Sequence, residues 1–309
     1  MCGIVGLYLK NRALAGQLGA LFEPMLVAMS DRGPDSAGFA IYGNDAGASR
    51  LKYTLQADDD GVDWAAIVEA LRADLGADID YFSNANAAVL TTDAGEVAMR
   101  QALTARSADA IRLMSVGHSI EILKHVGHPK MVAQRFGLSG MQGTHIIGHT
   151  RMATESAVTM AGSHPFSTGH DLCLVHNGSL SNHHRIRETL VRNGLVFHTD
   201  NDSEVAAGYL TWRLNQGDDL ESALARCVDA LDGFFTFTVG TRDGFAVLRD
   251  PIACKPAVLA ETEDYVAMAS EYRALTALPG IRQARVWEPE PGRVYVWQGE
   301  QAMSQEVGT

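Results

Sequence analysis

The 309-residue chain has few basic residues and lacks long apolar runs. Its 25 Lys and Arg stand against 37 Asp and Glu, which gives a net charge of −12. Nucleic acids and anionic membranes attract clustered basic charge, so this balance argues against both as general partners. With 46% hydrophobic and 20% charged residues, the composition is that of a globular chain without a membrane-spanning segment. The function classes that remain are small-molecule chemistry and binding to a protein partner.

Paired cysteines are also missing. The four cysteines (Cys2, Cys173, Cys227 and Cys254) are far apart, which argues against a disulfide framework or a thiolate metal site. A reducing compartment fits this pattern, and the N-terminus has no secretory signal, so we expect a cytoplasmic protein. We expect the three later cysteines to be core residues. No G-x-G-x-x-G or Walker-type loop occurs, so no motif implies a nucleotide cofactor.

Most of the 11 histidines fall between residues 145 and 198, which raises the question of a metal site. His145 and His149 lie in an apparent strand, where four residues span about 13 Å. The adjacent His183 and His184 are expected to point in different directions. The chain has no carboxylate–histidine pattern on a helix, so the spacing predicts no metal site.

Apolar patterning predicts a layered α+β architecture of stacked sheets covered by helices. A strand is expected at 3–8 and an amphipathic helix at 18–29, bent or shortened by Pro24. Residues 51–140 look like an inserted α+β subdomain within one domain of 1–309. Before the insert the pattern also predicts a strand at 37–42. After it the pattern predicts helices at 202–213 and 220–231 and strands at 145–148, 171–175, 234–239, 245–249, 257–260, 265–269 and 293–298.

Cys2 is the most informative position. If Met1 is removed, Cys2 carries both a thiol and a free α-amine. An α-amine has a pKa of about 7.7–8.0, against about 10.4 for lysine, so a useful fraction is neutral and can accept the thiol proton. One residue then supplies nucleophile and base. The alternative is a small buried cysteine that begins a strand.

Six segments together resemble the class II glutamine amidotransferases, which are N-terminal-nucleophile (Ntn) glutaminases. The resemblance covers residues 1–43 and 144–280. The segments occur in the family's order and are Met1-Cys2-Gly3-Ile4-Val5-Gly6, Arg32-Gly33-Pro34-Asp35, Gly148-His149-Thr150-Arg151-Met152-Ala153-Thr154, His164-Pro165-Phe166, His176-Asn177-Gly178 and Asp200-Asn201-Asp202-Ser203-Glu204. This resemblance implies a four-layer αββα Ntn-hydrolase sandwich.

The resemblance also implies which residues hold glutamine. Arg151 corresponds to the family's guanidinium for the substrate carboxylate, a pairing that two parallel hydrogen bonds favour. Asp202 stands where the family places the carboxylate for the substrate ammonium. Their alternatives are a surface ion pair for Arg151 and a helix cap for Asp202. Thr154 and His164 are expected to line or order the pocket.

Asn177 and Gly178 correspond to the oxyanion hole, through the Asn177 side-chain amide and the Gly178 backbone N–H. An amide carbon under attack develops an oxyanion that needs donors already aimed at it. The alternative is an Asn-Gly tight turn between two strands, which is compatible with that role.

Two pairs of residues are less certain in role. Arg32 and Asp35 look architectural, because they belong to the loop that ends the first helix. Met152 and Glu155, which follow Arg151, depart from the family pattern: relatives often have an aromatic residue at the first position, and some have His or Asn at the second. Both are expected to touch the loop that closes on glutamine, and they put substrate affinity and gating in question.

The resemblance implies hydrolysis of L-glutamine to glutamate and ammonia through a Cys2 thioester. No synthase segment follows the glutaminase pattern before Thr309, so we expect the ammonia acceptor on another polypeptide. The chain is similar to the stand-alone glutamate-synthase-type subunits, among them the amidotransferase subunit of N-methylglutamate synthase. That implies partner subunits carrying FMN and iron–sulfur clusters, with no cofactor on this chain. The insert would serve for docking or be a plain surface elaboration.

Two other functions stay open at this point. One is a free-standing hydrolase of γ-glutamyl amides, which releases its product to solvent. The other is a catalytically silent, glutamine-sensing regulatory subunit. The presence of all the family's catalytic positions argues against the silent subunit.

Overall fold

The computed structural model describes residues 2–107, 110–152 and 158–299. Within these ranges the strands, in chain order, are β1 Gly3–Leu9, β2 Ser36–Tyr42, β3 Leu51–Ala57, β4 Ile79–Asn84, β5 Ala87–Thr92, β6 Ile111–Gly117, β7 Ile120–Val126, β8 His145–Arg151, β9 Phe166–Gly169, β10 Leu172–Leu180, β11 Gly233–Thr241, β12 Gly244–Arg249, β13 Val258–Glu261, β14 Tyr265–Ala269, β15 Arg285–Trp287 and β16 Val294–Gln298.

The α-helices alternate with groups of strands. They are α1 Leu18–Ala28, α2 Trp64–Leu75, α3 Glu96–Ser107, α4 Pro129–Phe136, α5 His183–Arg192, α6 Asp202–Asn215 and α7 Leu220–Ala230. A short 3₁₀ helix, Arg12–Gln17, precedes α1, and Pro24 lies inside α1. No helix among the described residues is both long and apolar enough to cross a bilayer.

The strands form three antiparallel sheets. The largest has the order β15-β13-β14-β1-β8-β2-β7, and the second has the order β16-β12-β11-β10-β9. The third has the order β4-β5-β3-β6. Mixed α and β structure was expected from the sequence, and the structure confirms it at this level.

Strand β1 lies near the middle of the seven-stranded sheet because its sequence is apolar on both faces. All seven of its residues are buried, and it pairs with β8 on one side and β14 on the other. Gly3 begins the strand where a Cβ atom would lie 2.8 Å from both the Met29 Cβ and the Thr150 Oγ1. The lack of a side chain at Gly3 therefore lets the residue that follows Cys2 pack between α1 and β8.

Three apolar clusters hold the two larger sheets and their helices together. One joins the seven-stranded sheet to α1 and α4, with Phe22 and Phe136 fully or almost fully buried. A second joins the five-stranded sheet to α6 and α7. The third contains side chains from both sheets, including Ile4 and Phe245, so the two sheets pack against each other.

The four-stranded sheet has an apolar cluster of its own with α2 and α3. Its strands run from Leu51 to Gly117, whereas β7 joins the seven-stranded sheet and α4 packs against α1. Part of the expected insert at 51–140 therefore forms a sheet of its own, and part belongs to the larger body. That residues 51–140 are a subdomain stays a prediction. A buried contact between Lys52 and Glu121 connects the two parts, as does the hydrogen bond from the Gln56 amide to the Lys124 carbonyl at 2.7 Å.

Candidate active site

Cys2 directly precedes β1, and its backbone carbonyl group is hydrogen-bonded. Its carbonyl oxygen accepts a hydrogen bond of 2.9 Å from Arg32 Nε, and Arg32 Nη1 pairs with Glu271 at 2.6 Å. The side chain of Cys2 is partly exposed. Arg32, expected to fix only its own loop, thus also fixes the residue that carries the candidate nucleophile.

Asn177 and Gly178 lie inside β10, and the tight turn considered from the sequence is absent there. Asn177 pairs with Thr236 and Gly178 with Phe235 in the ladder between β10 and β11. A Cβ at Gly178 would lie 2.0 Å from the Phe234 carbonyl oxygen and 2.6 Å from His176 Nε2. A side chain at position 178 would therefore clash, so glycine is required there. The interpretation of Asn177-Gly178 as a tight turn was wrong.

The Asn177 side chain carries an unused donor. Asn177 is 3% exposed, yet its Nδ2 has no hydrogen-bond partner among the described residues. Buried polar groups nearly always find a partner, and leaving one without costs about 1–3 kcal/mol. The Asn177 amide is thus a buried donor without a partner in the described part of the chain, next to a glycine in the same strand. Such a donor is available to a bound ligand.

Asp202 begins α6 but does not cap it. The N-cap is Asn201, whose side chain accepts from Ser203 N at 2.9 Å. Asp202 Oδ2 accepts from Leu180 N at 2.9 Å, and its Oδ1 accepts from Ser203 Oγ at 3.2 Å. The capping alternative for Asp202 was wrong, because these contacts tie its carboxylate to the end of β10 instead.

Arg151 ends β8 and lies close to the start of α6. Its Nη1 donates to the Gly162 carbonyl oxygen at 2.9 Å, and Asn201 Nδ2 donates to the same oxygen at 3.4 Å. Gly162 therefore joins the arginine to the residue that caps the helix of Asp202. Met152 follows as a 40% exposed side chain. Thr154 and Glu155 lie outside the described residues, as does Met1.

His164 and His176 share one serine. His164 Nε2 and His176 Nδ1 each lie 2.9 Å from Ser203 Oγ, and His176 Nδ1 is 3.8 Å from Asp202 Oδ1. Burial lowers the pKa of both rings, with Asp202 opposing this at His176 and neighbouring cationic and imidazole groups adding to it at His164. Two neutral imidazoles thus hydrogen-bond to the same serine. The expected role of His164 in lining or ordering the pocket stays a prediction.

A third histidine connects the sheets at the same place. His149 Nε2 lies 3.1 Å from the His176 carbonyl oxygen, and its ring stacks on His164 at 3.9 Å between centroids. Burial lowers the pKa of His149 to about 3, so the ring is neutral at physiological pH. His149 therefore joins β8 to the residue that precedes Asn177.

These contacts place the sequence-predicted site residues in one connected region. Gly3, next to Cys2, pairs with Thr150, next to Arg151. Arg151 reaches the cap of α6 through Gly162, and Asp202 at the start of that helix holds the end of β10. The strand β10 carries Asn177 and Gly178. The catalytic and binding roles of these residues stay predictions.

Several expectations outside this region had mixed outcomes. Cys173 and Cys227 are buried, but Cys254 is exposed, so its placement in the core was wrong. His183 and His184 were expected to point apart, yet their ring centroids lie 4.0 Å apart at the start of α5. Within the described ranges, no group of three or more His, Cys, Asp or Glu is placed to hold a metal ion.

Sequence reasoning missed the positioning residues around the site. Ser203 and Glu271 gave no chemical signal on their own, since each acts through a neighbour that is distant in sequence. His149 and His176 lie in segments that carry the family resemblance, but the sequence did not indicate a role for either ring. Besides metal binding, stacked and desolvated imidazoles are a second explanation for a histidine-rich stretch.

Comparison with known proteins identifies relatives of the chain. Residues 149–277 match the profile of the glutamine amidotransferase domain. The chain is 54% identical over 302 residues to the glutamine amidotransferase-like protein GlxB of Rhizobium meliloti, covering 98% of this chain and 100% of that protein. It is 35% identical over 305 residues to a putative glutamine amidotransferase of Methanothermobacter thermautotrophicus, with 96% and 99% covered.

A solved structure gives the fold independently. The glutamine phosphoribosylpyrophosphate amidotransferase of B. subtilis superposes with a TM-score of 0.60 at 19% identity. The alignment covers 99% of this chain and 50% of that enzyme, so the chain corresponds to half of its length. The fold is therefore of the Ntn-hydrolase type, and the chain belongs to the class II glutamine amidotransferase family.

Proposed function

We propose that this protein hydrolyses L-glutamine to L-glutamate and ammonia, with Cys2 as an N-terminal nucleophile. The observation that carries the proposal is the buried, unpartnered Asn177 amide beside Gly178, within a region that also contains Arg151 and Asp202. A preorganised donor in a dry site is what stabilisation of an oxyanion requires. Membership of the amidotransferase family supports glutamine as the substrate.

The proposed binding mode uses two opposite charges. Arg151 pairs with the substrate carboxylate while Gly162 fixes one side of its guanidinium. Asp202 accepts from the substrate ammonium while Leu180 N and Ser203 Oγ hold its two oxygens in place. Because both anchors are tied to fixed backbone, the side-chain amide of glutamine would be presented in one orientation.

The proposed reaction has two balanced halves. The Cys2 thiol gives its proton to its own α-amine, and the sulfur attacks the amide carbon. The Asn177 amide and the Gly178 N–H stabilise the oxyanion, and ammonia leaves with the proton from the α-ammonium. Water then adds to the γ-glutamyl thioester, its proton passes to the α-amine, and glutamate leaves as the thiol re-forms.

We further propose that the ammonia passes to a separate synthase subunit. The sequence resemblance to glutamate-synthase-type subunits, including that of N-methylglutamate synthase, supports such a partner. FMN and iron–sulfur clusters would belong to that partner. We place the protein in the cytoplasm, in line with its widely spaced cysteines.

The packing supports an αββα interpretation of the fold. One apolar cluster lies between the two larger sheets, and each sheet packs against helices through a cluster of its own. We therefore infer four layers for this part of the chain, with the four-stranded sheet added to them.

Turnover with an added nucleophile tests the proposal. The wild-type chain is incubated with glutamine and hydroxylamine, and both ammonia and γ-glutamyl hydroxamate are measured, because a thioester partitions between water and hydroxylamine. We expect both products from the wild type and from Cys254→Ser, whose exposed thiol is the matched control. We expect neither from Cys2→Ala. Turnover in Cys2→Ala, or no turnover in the wild type, would contradict the proposal.

A further inference from the structure

A cavity lies next to the candidate active site. It has a volume of about 320 Å³ and lies where α3 and β6 of the four-stranded sheet meet residues 161–167 and 198–204 of the larger body. Pockets that bind small molecules start at about this volume and combine apolar walls with a few polar groups. The cavity has such a lining, with Leu103, Ile111 and Phe166 on its apolar side.

The charged groups of this cavity are mostly cationic. Lys124 lines it, is 5% exposed, and donates to the carbonyl oxygens of Ser163 at 2.8 Å and Pro165 at 3.3 Å. No carboxylate among the described residues forms an ion pair with Lys124. A buried ammonium without a counter-ion is costly, and burial accordingly lowers the pKa of Lys124 to about 7.

Two arginines add to this charge. Arg112 lines the cavity, and its Nε is buried without a hydrogen-bond partner in the described part of the chain. Its ion-pair partner, Asp58 Oδ1, lies 3.7 Å away, beyond hydrogen-bond distance. Arg100 also lines the cavity and pairs with Glu96 at 2.7 Å. Arg112 Nε is thus a donor without an acceptor among the described residues. The three N–H groups of Lys124 all have carbonyl acceptors, the third being Ala161 at 3.4 Å, so what Lys124 lacks in the described part of the chain is an ion pair.

Among the described residues, Glu204 is the one carboxylate that lines the cavity, and its oxygens already accept hydrogen bonds. Glu204 accepts from His198 N at 2.9 Å, Thr199 N at 2.8 Å and Thr199 Oγ1 at 2.7 Å. These three donors occupy both of its oxygens, so Glu204 stabilises the loop before α6. The cavity therefore presents net positive charge in a protein whose total charge is −12.

We propose that this cavity binds a small organic anion, whose carboxylate or phosphate group contacts Arg112 and Lys124 and whose apolar part packs on Leu103, Ile111 and Phe166. A bound anion would supply the counter-charge that Lys124 lacks. One of its oxygens would accept a hydrogen bond from the unpartnered Arg112 Nε. The chain between Ala161 and Pro165 is shared with the candidate active site, because Gly162 holds Arg151 there. The two sites therefore share this stretch of chain.

Calorimetric titration with matched probes tests this site without any assay of turnover. Hexanoate and hexyl phosphate carry the two anionic groups, while hexylammonium and hexanol have the same apolar chain without negative charge. We expect saturable binding of at least one anion, and none of the uncharged or cationic probe. Loss of a charge-assisted hydrogen bond of about 1.5–3 kcal/mol corresponds to roughly tenfold or more in Kd.

Three variants locate the binding. Arg112→Gln, at a 38% exposed side chain, and Lys124→Met are both expected to weaken anion binding about tenfold or more. Arg192→Gln, at a 76% exposed arginine on α5, is the control and is expected to bind as the wild type does. If Lys124→Met does not fold, Arg112→Gln decides alone. Absence of saturable anion binding, equal binding of hexylammonium, or unchanged binding by Arg112→Gln would overturn the proposal.

Discussion

The two larger sheets and the four-stranded sheet use polar residues differently. In the larger body, His149, His164 and Asn177 are buried and contribute to a desolvated network at the junction of β8, β10 and α6. In the four-stranded sheet and its helices, ion pairs such as Arg50–Asp80 have partners that are 31% and 69% exposed. Desolvated groups interact more strongly than solvent-screened pairs, so the larger body is where we expect the proposed chemistry. The four-stranded sheet also buries polar side chains, among them Lys52 and Gln56, and these two contact the larger body.

The connection between the two regions is the first way to test this comparison. Lys52 and Glu121 form a pair whose side chains are 3% and 12% exposed. Lys52→Met leaves a buried carboxylate without its cation, and we expect a loss of about 3–5 kcal/mol in the free energy of unfolding, measured in urea. Asp80→Asn, which removes an exposed pair, should cost below about 1 kcal/mol. Equal effects would contradict the distinction between the regions.

Removal of the unpartnered amide tests the larger body directly. Asn177→Ala removes a proposed oxyanion donor, and we expect glutamine turnover to fall about 10²–10³-fold in kcat, equivalent to about 2.7–4 kcal/mol. Steady-state kinetics check this, with Asn193→Ala at the exposed end of α5 as the control. A change in kcat of less than about fivefold in Asn177→Ala would remove Asn177 from the mechanism.

Gly178 and Gly95 contrast a crowded glycine with an open one. Gly178→Ala would place a Cβ 2.0 Å from the Phe234 carbonyl oxygen, whereas a Cβ at Gly95 would meet nothing within 4 Å. We expect Gly178→Ala to lower the free energy of unfolding by about 1–3 kcal/mol and to reduce turnover. Gly95→Ala, beside the four-stranded sheet, should stay within about 0.5 kcal/mol of the wild type. Thermal unfolding measures both, and tolerance of Gly178→Ala would contradict the packing argument.

Lys124 gives a gradual expected effect, which is small for each unit of pH, in the dependence of stability on pH. Its folded pKa of about 7 lies below the usual value of about 10.4, so between these values the unfolded chain binds more protons. The contribution of Lys124 to stability therefore rises with pH across this window, by up to about 1.4 kcal/mol per pH unit, and is lowest below the folded pKa. Urea unfolding of wild type and Lys124→Met at several pH values should show this slope in their difference. A flat difference would show that Lys124 is charged when folded.

The sequence predicts best where pattern and chemistry coincide. The apolar run 3–8 predicted β1, and the helix predicted at 202–213 corresponds to α6. The strand predicted at 145–148 continues in the structure to Arg151. Helix α5 was not predicted, because Leu190 is its one fully buried side chain among described residues and its apolar pattern is weak. The exposed strand β4 was missed for the same reason.

Contacts across long sequence distances could not be predicted. The link from Arg32 to Cys2 joins residues 30 apart, and the pair of Arg32 with Glu271 joins residues 239 apart. Each single residue there is compatible with a surface ion pair. The position of Asn177 and Gly178 in a strand also depends on β11, whose register fills the space at Gly178. Local sequence favours the turn, and tertiary pairing overrides it.

The most direct test of the account is the mass of the purified protein before and after treatment with a γ-diazoketone analogue of glutamine. We predict that Met1 is absent and that one adduct forms, mapped by peptide sequencing to Cys2, with the same result in Cys254→Ser. A chain that retains Met1, or that carries its adduct on Cys254 while Cys2 stays unmodified, would contradict the central role of Cys2.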